Sequence, residues 1–291
     1  MNICPAFMRI TRCLTWLLVL CVSQVYAEEI LSADFQAILN GRSGEFCIWK
    51  YSGNSNVYVF DFPELRRQGQ AFNRAMQLTE QYNESYKRVL GADEMSKYLN
   101  AIRRNQANFA FGHDFLVSEL VLFFNLANRD KVVLLPEEVR VREFLVAQGM
   151  MDEWRGFYRA LMPDVVILSI PQVQERHDNE PRINELARRA IFTHEIAHAE
   201  FYTNPYYADY CRKFWSDKLS EAQRGVFQRF LSNYNYSINQ QELLINEMQA
   251  YLMFTPDPNS ISAARLGIEE SEWEGMKVLF RQGRPPTKLP M

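Results

Sequence analysis

The chain has 291 residues, 47% of them hydrophobic, and a formal net charge of −3. That apolar content is enough for one sizeable core, and so small an acidic excess gives no electrostatic basis for nucleic-acid binding. No internal repeat, low-complexity tract or block of like charge is present, which excludes a repeat array and a charged tail.

The opening residues MNICPAFMRITR carry Arg9 and Arg12 and no acid. CLTWLLVLCV follows as an apolar run too short to span a bilayer as a stable helix. Val25-Tyr26-Ala27 then offers small residues where a signal peptidase reads, which predicts a secretory signal peptide over residues 1–27. A lipid anchor on Cys21 is the rival reading, opposed by Leu20 where a small residue is expected. The mature chain, 28–291, is then exported, periplasmic or extracellular, without a stable membrane anchor after cleavage. Cys47 and Cys211 remain in a compartment that permits disulfides. They form either an intrachain bridge, contributing about 4–5 kcal/mol in the chain-entropy model, or two free buried thiols.

EFCIWKY and NVYVFDF alternate and are rich in aromatic and β-branched residues, so residues 46–62 read as a hairpin. A polar helical stretch follows over roughly 64–105. FGHDFLVSELVLFFNLAN reads as a helix capped by Asp114, too short to cross a membrane. KVVLL (131–135) and DVVILSI (164–170) read as buried strands, with PEEVRVREFLVAQGM and DEWRGFYRAL between them as helices, the first opened by Pro136. After Pro171 comes a loop, and then helices dominate to about residue 255. The last residues, RQGRPPTKLPM, read as a loose tail. The fold class is α+β, mostly helical with a small sheet, in one domain.

Asp178 or Asn179 is the expected cap of the next helix, with Pro181 in its first turn. Ile183, Leu186, Ala187, Ala190, Ile191, Ala197 and Phe201 then mark one buried stripe. His194 and His198 fall on that stripe, about 40° apart on the helical wheel, so both rings point inward one turn apart. Two imidazoles so placed can bind one zinc ion. Glu195, about 100° from His194, lies near such a metal without chelating it and can act on its water. Glu200 points away, about 160° from His198, and reads as solvated or paired.

A catalytic zinc site needs a third protein ligand. Phe201 and Asn204 stand where a metzincin would carry its glycine and third histidine, so that branch is excluded. In LLINEMQAYLMF, Glu247 shares a helical face with Leu243, Leu244, Ala250 and Tyr251, and a carboxylate there is costly unless paired or metal-bound. Ligation is one reading, and pairing with a buried arginine or tyrosine is the other. Glu242 reaches solvent more easily. YYADYCRKFWSDKL and SEAQRGVFQRFLSNY read as two amphipathic helices, one out and one back, that return the chain to the histidines. His177 and His113 contact substrate or are structural.

His194-Glu195-Ile196-Ala197-His198 and Asn246-Glu247-Met248-Gln249-Ala250 together resemble the zincin metallopeptidases, in particular the gluzincin branch. The resemblance covers about residues 180–255. It implies one Zn2+ per chain held by His194, His198 and Glu247, with Glu195 as general base, in a catalytic core over 111–255 preceded by a lobe at 28–110. The spacing between the two motifs is longer than in thermolysin-like enzymes. Tyr251 stands where those enzymes place an aspartate that orients the first histidine. It would bond the ring N–H, stabilise an oxyanion, or simply pack. Tyr202, Tyr206, Tyr207, His113 and His177 are further candidate oxyanion donors. By analogy, an extended peptide pairs with a sheet edge supplied by DVVILSI or KVVLL. The expected function is an exported zinc peptidase acting on protein or peptide substrates. The alternatives are an inert binding protein on the same scaffold, a zinc amidase acting on cell-wall peptides, and a metal-free structural protein.

Overall fold

A computed structural model describes residues 30–81, 88–176 and 180–289. The signal-peptide residues 1–27, His177 and the candidate caps Asp178 and Asn179 lie outside the described residues.

The elements run β1 (Ile30–Ala33), α1 (Phe35–Leu39), β2 (Cys47–Tyr51), β3 (Val57–Phe62), α2 (Leu65–Thr79), α3 (Ala92–Ala101), β4 (His113–Leu116), α4 (Val117–Arg129) and α5 (Pro136–Ala147). A hairpin of β5 (Met151–Trp154) and β6 (Phe157–Ala160) precedes β7 (Val166–Pro171). Then come α6 (Glu185–Thr203), α7 (Pro205–Lys213) with a π-helical turn at Phe214–Lys218, α8 (Glu221–Ser232), α9 (Gln241–Phe254), α10 (Ala263–Leu266) and α11 (Glu270–Gly283). The class is α+β, as the sequence predicts. Among the described residues no helix is long and apolar enough to cross a membrane.

The main sheet has the order β1-β2-β3-β7-β4. β2 and β3 form the expected antiparallel hairpin, β3 runs parallel to β7, and β4 lies antiparallel to β7 at the edge. Every residue of β3 and β7 is buried. Val57, Val59, Val166, Leu168 and Ile170 face a core built with α6, α7, α8 and α9. Tyr58, Phe60, Phe62 and Ile167 face a second core built with α2, α4 and α5. The period of two thus feeds both faces, which is why these strands read as near-continuous apolar runs. One sheet takes strands from both sides of residue 110, so the described residues before 110 are structurally part of the same body as the motif helix.

A buried ionic clamp seats α6 on the sheet. Arg188 Nε donates to Leu39 O, Nη1 to Asp61 Oδ1 and Pro171 O, and Nη2 to Ile38 O and Asp61 Oδ2, over 2.6–2.9 Å. All five guanidinium N–H groups are used, which offsets the desolvation of a charge that is fully buried. The helix is capped by Asn184, whose side chain accepts from Ala187 N at 2.8 Å.

Four expectations are corrected. DEWRGFYRAL is the β5–β6 hairpin and not a helix. Arg155 and Gly156 adopt positive φ (53° and 82°), the left-handed pair that a two-residue hairpin turn requires. KVVLL forms no strand and leads directly into α5. His113–Leu116 is strand, so Asp114 does not cap α4; Glu119 performs that role, accepting from Leu116 N at 2.9 Å. Finally, the motif helix starts at Glu185, so Pro181 precedes it and is not in its first turn. Of the two readings of the cysteines, the structure has Cys47 and Cys211 as free thiols. Cys47 Sγ donates to Ser43 Oγ at 3.2 Å beside β2, whereas Cys211 is fully buried in the core under α7.

Candidate metal centre

α6 and α9 pack against each other beneath the sheet and bring the two motifs together. His194 Nε2 and His198 Nε2 lie 3.0 Å apart. Glu247 Oε2 is 3.6 Å from His194 Nε2, and Oε1 is 3.8 Å from His198 Nε2. The three residues form a buried group that could hold a metal ion. Glu242 is exposed and paired with Arg212, with bonds of 2.8–3.0 Å. Glu200 accepts from Asn204 Nδ2 at 2.7 Å, away from the histidines.

The tautomer of His194 is set by its partner. Thr255 Oγ1 donates its one proton to Ala250 O at 3.0 Å. It must therefore accept from His194 Nδ1, 2.8 Å away, which leaves the Nε2 lone pair free and aimed at the facing imidazole and carboxylate. Burial, assisted by the nearby charge of His198, holds the His194 ring well below the usual histidine range, so its contact with Glu247 is not an ion pair. Burial also opposes charge on His198, but Asp114 and Glu247 outweigh it and raise that ring. Burial pushes Glu247 up to about 7 against the pull of His198. Its Oε2 has no hydrogen-bond partner among the described residues, nor does His198 Nδ1.

No protein-family model, curated protein or solved structure matches the chain.

Glu195 is 4% exposed and follows His194 on the helix. Burial and then the charges of Asp114 and Glu247 hold its carboxyl well above the usual range, which suits a group that must take up a proton. A cleft of about 220 Å³ opens onto His194, Glu195 and Tyr251, walled by the 102–112 segment and the turn at 233–236. At Gly112 an added Cβ would fall 2.1 Å from Glu195 Oε1, so only glycine lets this backbone approach the carboxylate so closely.

Tyr251 does not orient His194, because Thr255 does. Its ring packs edge-on, 4.6 Å between centroids, and it lines the cleft. The other expected donors separate cleanly. Tyr206 is 81% exposed, and Tyr207 is in the core, donating to Gln249 Oε1 at 2.7 Å. His113 is bound within the fold by Ser169 Oγ at 2.8 Å and Asn73 Oδ1 at 3.0 Å, and burial pushes it down to about 3. Burial, and then the charge of Asp114, holds the Tyr202 hydroxyl well above the usual tyrosine range. Sequence reasoning missed Thr255, Gly112, Asp114 and Tyr236, the last of which lines the cleft. Only Asp114 left a trace, as an acid inside an otherwise apolar run. The expected sheet edge is also reassigned: β7 is interior, and β4 is the edge strand.

Proposed function

We propose that this chain is a zinc-dependent peptidase of zincin type, with His194, His198 and Glu247 as metal ligands and Glu195 as general base. The observation that carries the reading is the convergence of two neutralisable imidazole Nε2 atoms and an unpartnered buried carboxylate oxygen, with one tautomer set by Thr255. The donor separations of 3.0, 3.6 and 3.8 Å bracket the edge of a tetrahedral zinc shell, about 3.3–3.5 Å for ordinary Zn–N and Zn–O bonds. The residues fit the ion. A zinc ion there would supply Lewis acidity, acidifying water and polarising a substrate carbonyl.

The chain's own groups do the rest. The elevated Glu195 carboxyl accepts the proton of an attacking water and can return it to the departing amine. The Tyr251 hydroxyl, kept protonated by burial and the charge of Glu247, faces the cleft as a donor toward the developing oxyanion. Gly112 leaves the Glu195 carboxylate its place. An extended substrate has β4 and the 108–112 segment beside the cleft to lie against.

The test pairs metal content with turnover. Purified protein should carry one zinc per chain, removable by chelation with loss of peptide cleavage. Glu195→Gln should keep the zinc and lose cleavage, whereas His194→Ala should lose both. A wild-type protein with no affinity for zinc would end this reading, and intact zinc with no cleavage of varied peptides would favour an inert scaffold.

A further inference from the structure

One wall of the cleft, the 102–112 segment between α3 and β4, is irregular chain whose shape is fixed by hydrogen bonds. α3 ends in two nested bonds, Arg103 N to Asn100 O at 3.1 Å and Arg104 N to Leu99 O at 2.8 Å. Arg103 takes the left-handed conformation (φ 57°) where a helix end of this kind usually has glycine. Arg104 is the next residue, so its backbone is held by the end of the helix. Beyond it, Asn105 N donates to Asn108 Oδ1 at 2.7 Å and Ala107 N to Asn105 Oδ1 at 2.8 Å. From α2, Asn73 Nδ2 donates to Gln106 O at 3.0 Å and Gln68 Nε2 to Phe111 O at 3.0 Å. The wall is therefore shaped before any ligand arrives, which spares the ligand the cost of ordering it.

Among the described residues lining the cleft, Arg104 is the one arginine or lysine and Glu195 the one acid. The Arg104 side chain is exposed, Nη1 donates to Asn108 O at 3.3 Å, and among the described residues no carboxylate is paired with it. Arg66 borders an adjoining cavity together with Arg104, but Glu180 Oε1 sits 3.4 Å from its Nε. Arg104 is thus the cation left to a ligand, and a guanidinium presents its N–H donors as a planar fork that matches both oxygens of a carboxylate.

The chain direction says which end of a peptide meets it. Residues 108–112 run from the Arg104 end of the wall toward Gly112, which lies against Glu195. A substrate strand laid antiparallel to them, the more stable pairing, runs from the Gly112 end toward Arg104. Its C-terminal side then points at the guanidinium. The cleft, about 220 Å³, is smaller than the 300–1,000 Å³ or so of sites that enclose drug-sized ligands, so only a short length of peptide lies between the two ends.

We propose that Arg104 anchors a peptide carboxylate on the C-terminal side of the bond presented to Glu195, so that the cleft selects peptides acidic at that place. The carboxylate is that of a chain terminus or of an Asp or Glu side chain. The proposal rests on the peptidase reading and names its substrate class.

The experiment uses the full zinc-loaded chain and three peptides of one sequence: a free C-terminal carboxylate, the C-terminal amide, and the amide with one glutamine on the C-terminal side changed to glutamate. Cleavage of internally quenched versions gives kcat and KM. Anisotropy of singly labelled versions gives Kd on chains that carry Glu195→Gln. The expected result is a preference of about tenfold for an acidic peptide over the neutral amide, in Kd and in kcat/KM, with most of the kinetic difference in KM. Preference for the free-carboxylate peptide assigns the chain terminus, and preference for the glutamate peptide assigns the side chain. Arg104→Gln should bring the ratio to about one and Arg104→Lys should restore part of it, with the zinc count unchanged in both. Because Arg104 is exposed, both variants keep the fold. An acid preference that persists in Arg104→Gln, or is absent from the wild type, overturns the anchor while intact cleavage leaves the peptidase reading standing. Acidic peptides held through Arg104 but never cleaved support the anchor and overturn the peptidase reading.

Discussion

Gly112→Ala offers a way to move the proposed base without touching a proposed ligand. The new Cβ would stand 2.1 Å from Glu195 Oε1, 2.6 Å from Cδ and 2.8 Å from Cγ. Ordinary contact requires more than about 3 Å, so the carboxylate must shift by about 1 Å or swing to another rotamer. The far end of a glutamate can do this at small cost, and Gly112 does not use a positive φ, so the backbone accepts alanine and the fold should survive. His194, His198 and Glu247 keep their places, so zinc affinity should stay within a factor of about three. Turnover is different, because a misplacement of about 1 Å costs on the order of 100-fold. The expected outcome is a folded, zinc-loaded protein whose kcat on a cleavable fluorogenic peptide falls about 100-fold, with KM changed much less. Glu195→Gln sets the floor of the comparison. If Gly112→Ala cleaved at the wild-type rate, Glu195 would not be acting from the position it occupies in this fold.

Thr255→Val should weaken zinc binding about 10–100-fold in a chelator competition, since it removes the acceptor that orients His194; Tyr251→Phe should leave that affinity unchanged, and the reverse order would return the orienting role to the tyrosine. Arg188→Met strands the Asp61 carboxylate in the core and should cost about 3–5 kcal/mol in denaturant unfolding, with part of the loss recovered by adding Asp61→Asn; a loss under about 1 kcal/mol would show that the clamp is dispensable. Metal-free protein should lose stability as pH rises above about 6.5. Glu195 and Glu80 have folded pKa values raised well above the usual range, so the stability they favour is present at low pH and fades as pH climbs through those values. The window lies above about pH 6.5 because buried His113 and His194, whose folded pKa values are lowered, act in the opposite sense below it. Melting temperatures should fall across the window in the metal-free protein and fall less in Glu195→Gln; a flat or rising profile in the wild type would contradict the assignment.

How much of the fold and site was legible in the sequence depends on the range over which each feature is decided. His194 and His198 lie on the same helical stripe whatever else the chain does, because 3.6-residue periodicity is local. Glu247 was legible for an energetic reason, since a carboxylate at an apolar position signals a compensating partner. The hairpin at 46–62 announced itself by alternation around a polar turn. DEWRGFYRAL did not: its apolar residues satisfy both periods, and the decision rests on two left-handed residues at 155–156 and on α4 packing against the hairpin, where Asn125 bonds both N–H and C=O of Tyr158. His113–Leu116 is strand only because β7 pairs with it, far along the chain.

The residues that finish the site belong to this second kind. Thr255 lies just past the end of α9, where helical periodicity no longer places a side chain, and it reaches His194 only because α6 and α9 pack. Gly112 is an ordinary loop glycine until Glu195, distant in sequence, is laid against it. Asp114 looked like a helix cap, a role in which exposure would have satisfied it. Inside β4 it is instead buried against His198 and Tyr202, and a buried acid that could have been a solvated one demands a cause. Periodicity thus placed the groups that sit on two helices, and nonlocal packing decides the acids around them. Because those acids repel one another, a bound cation would stabilise the fold that gathers them, and metal affinity and folding stability should rise and fall together across the site's variants.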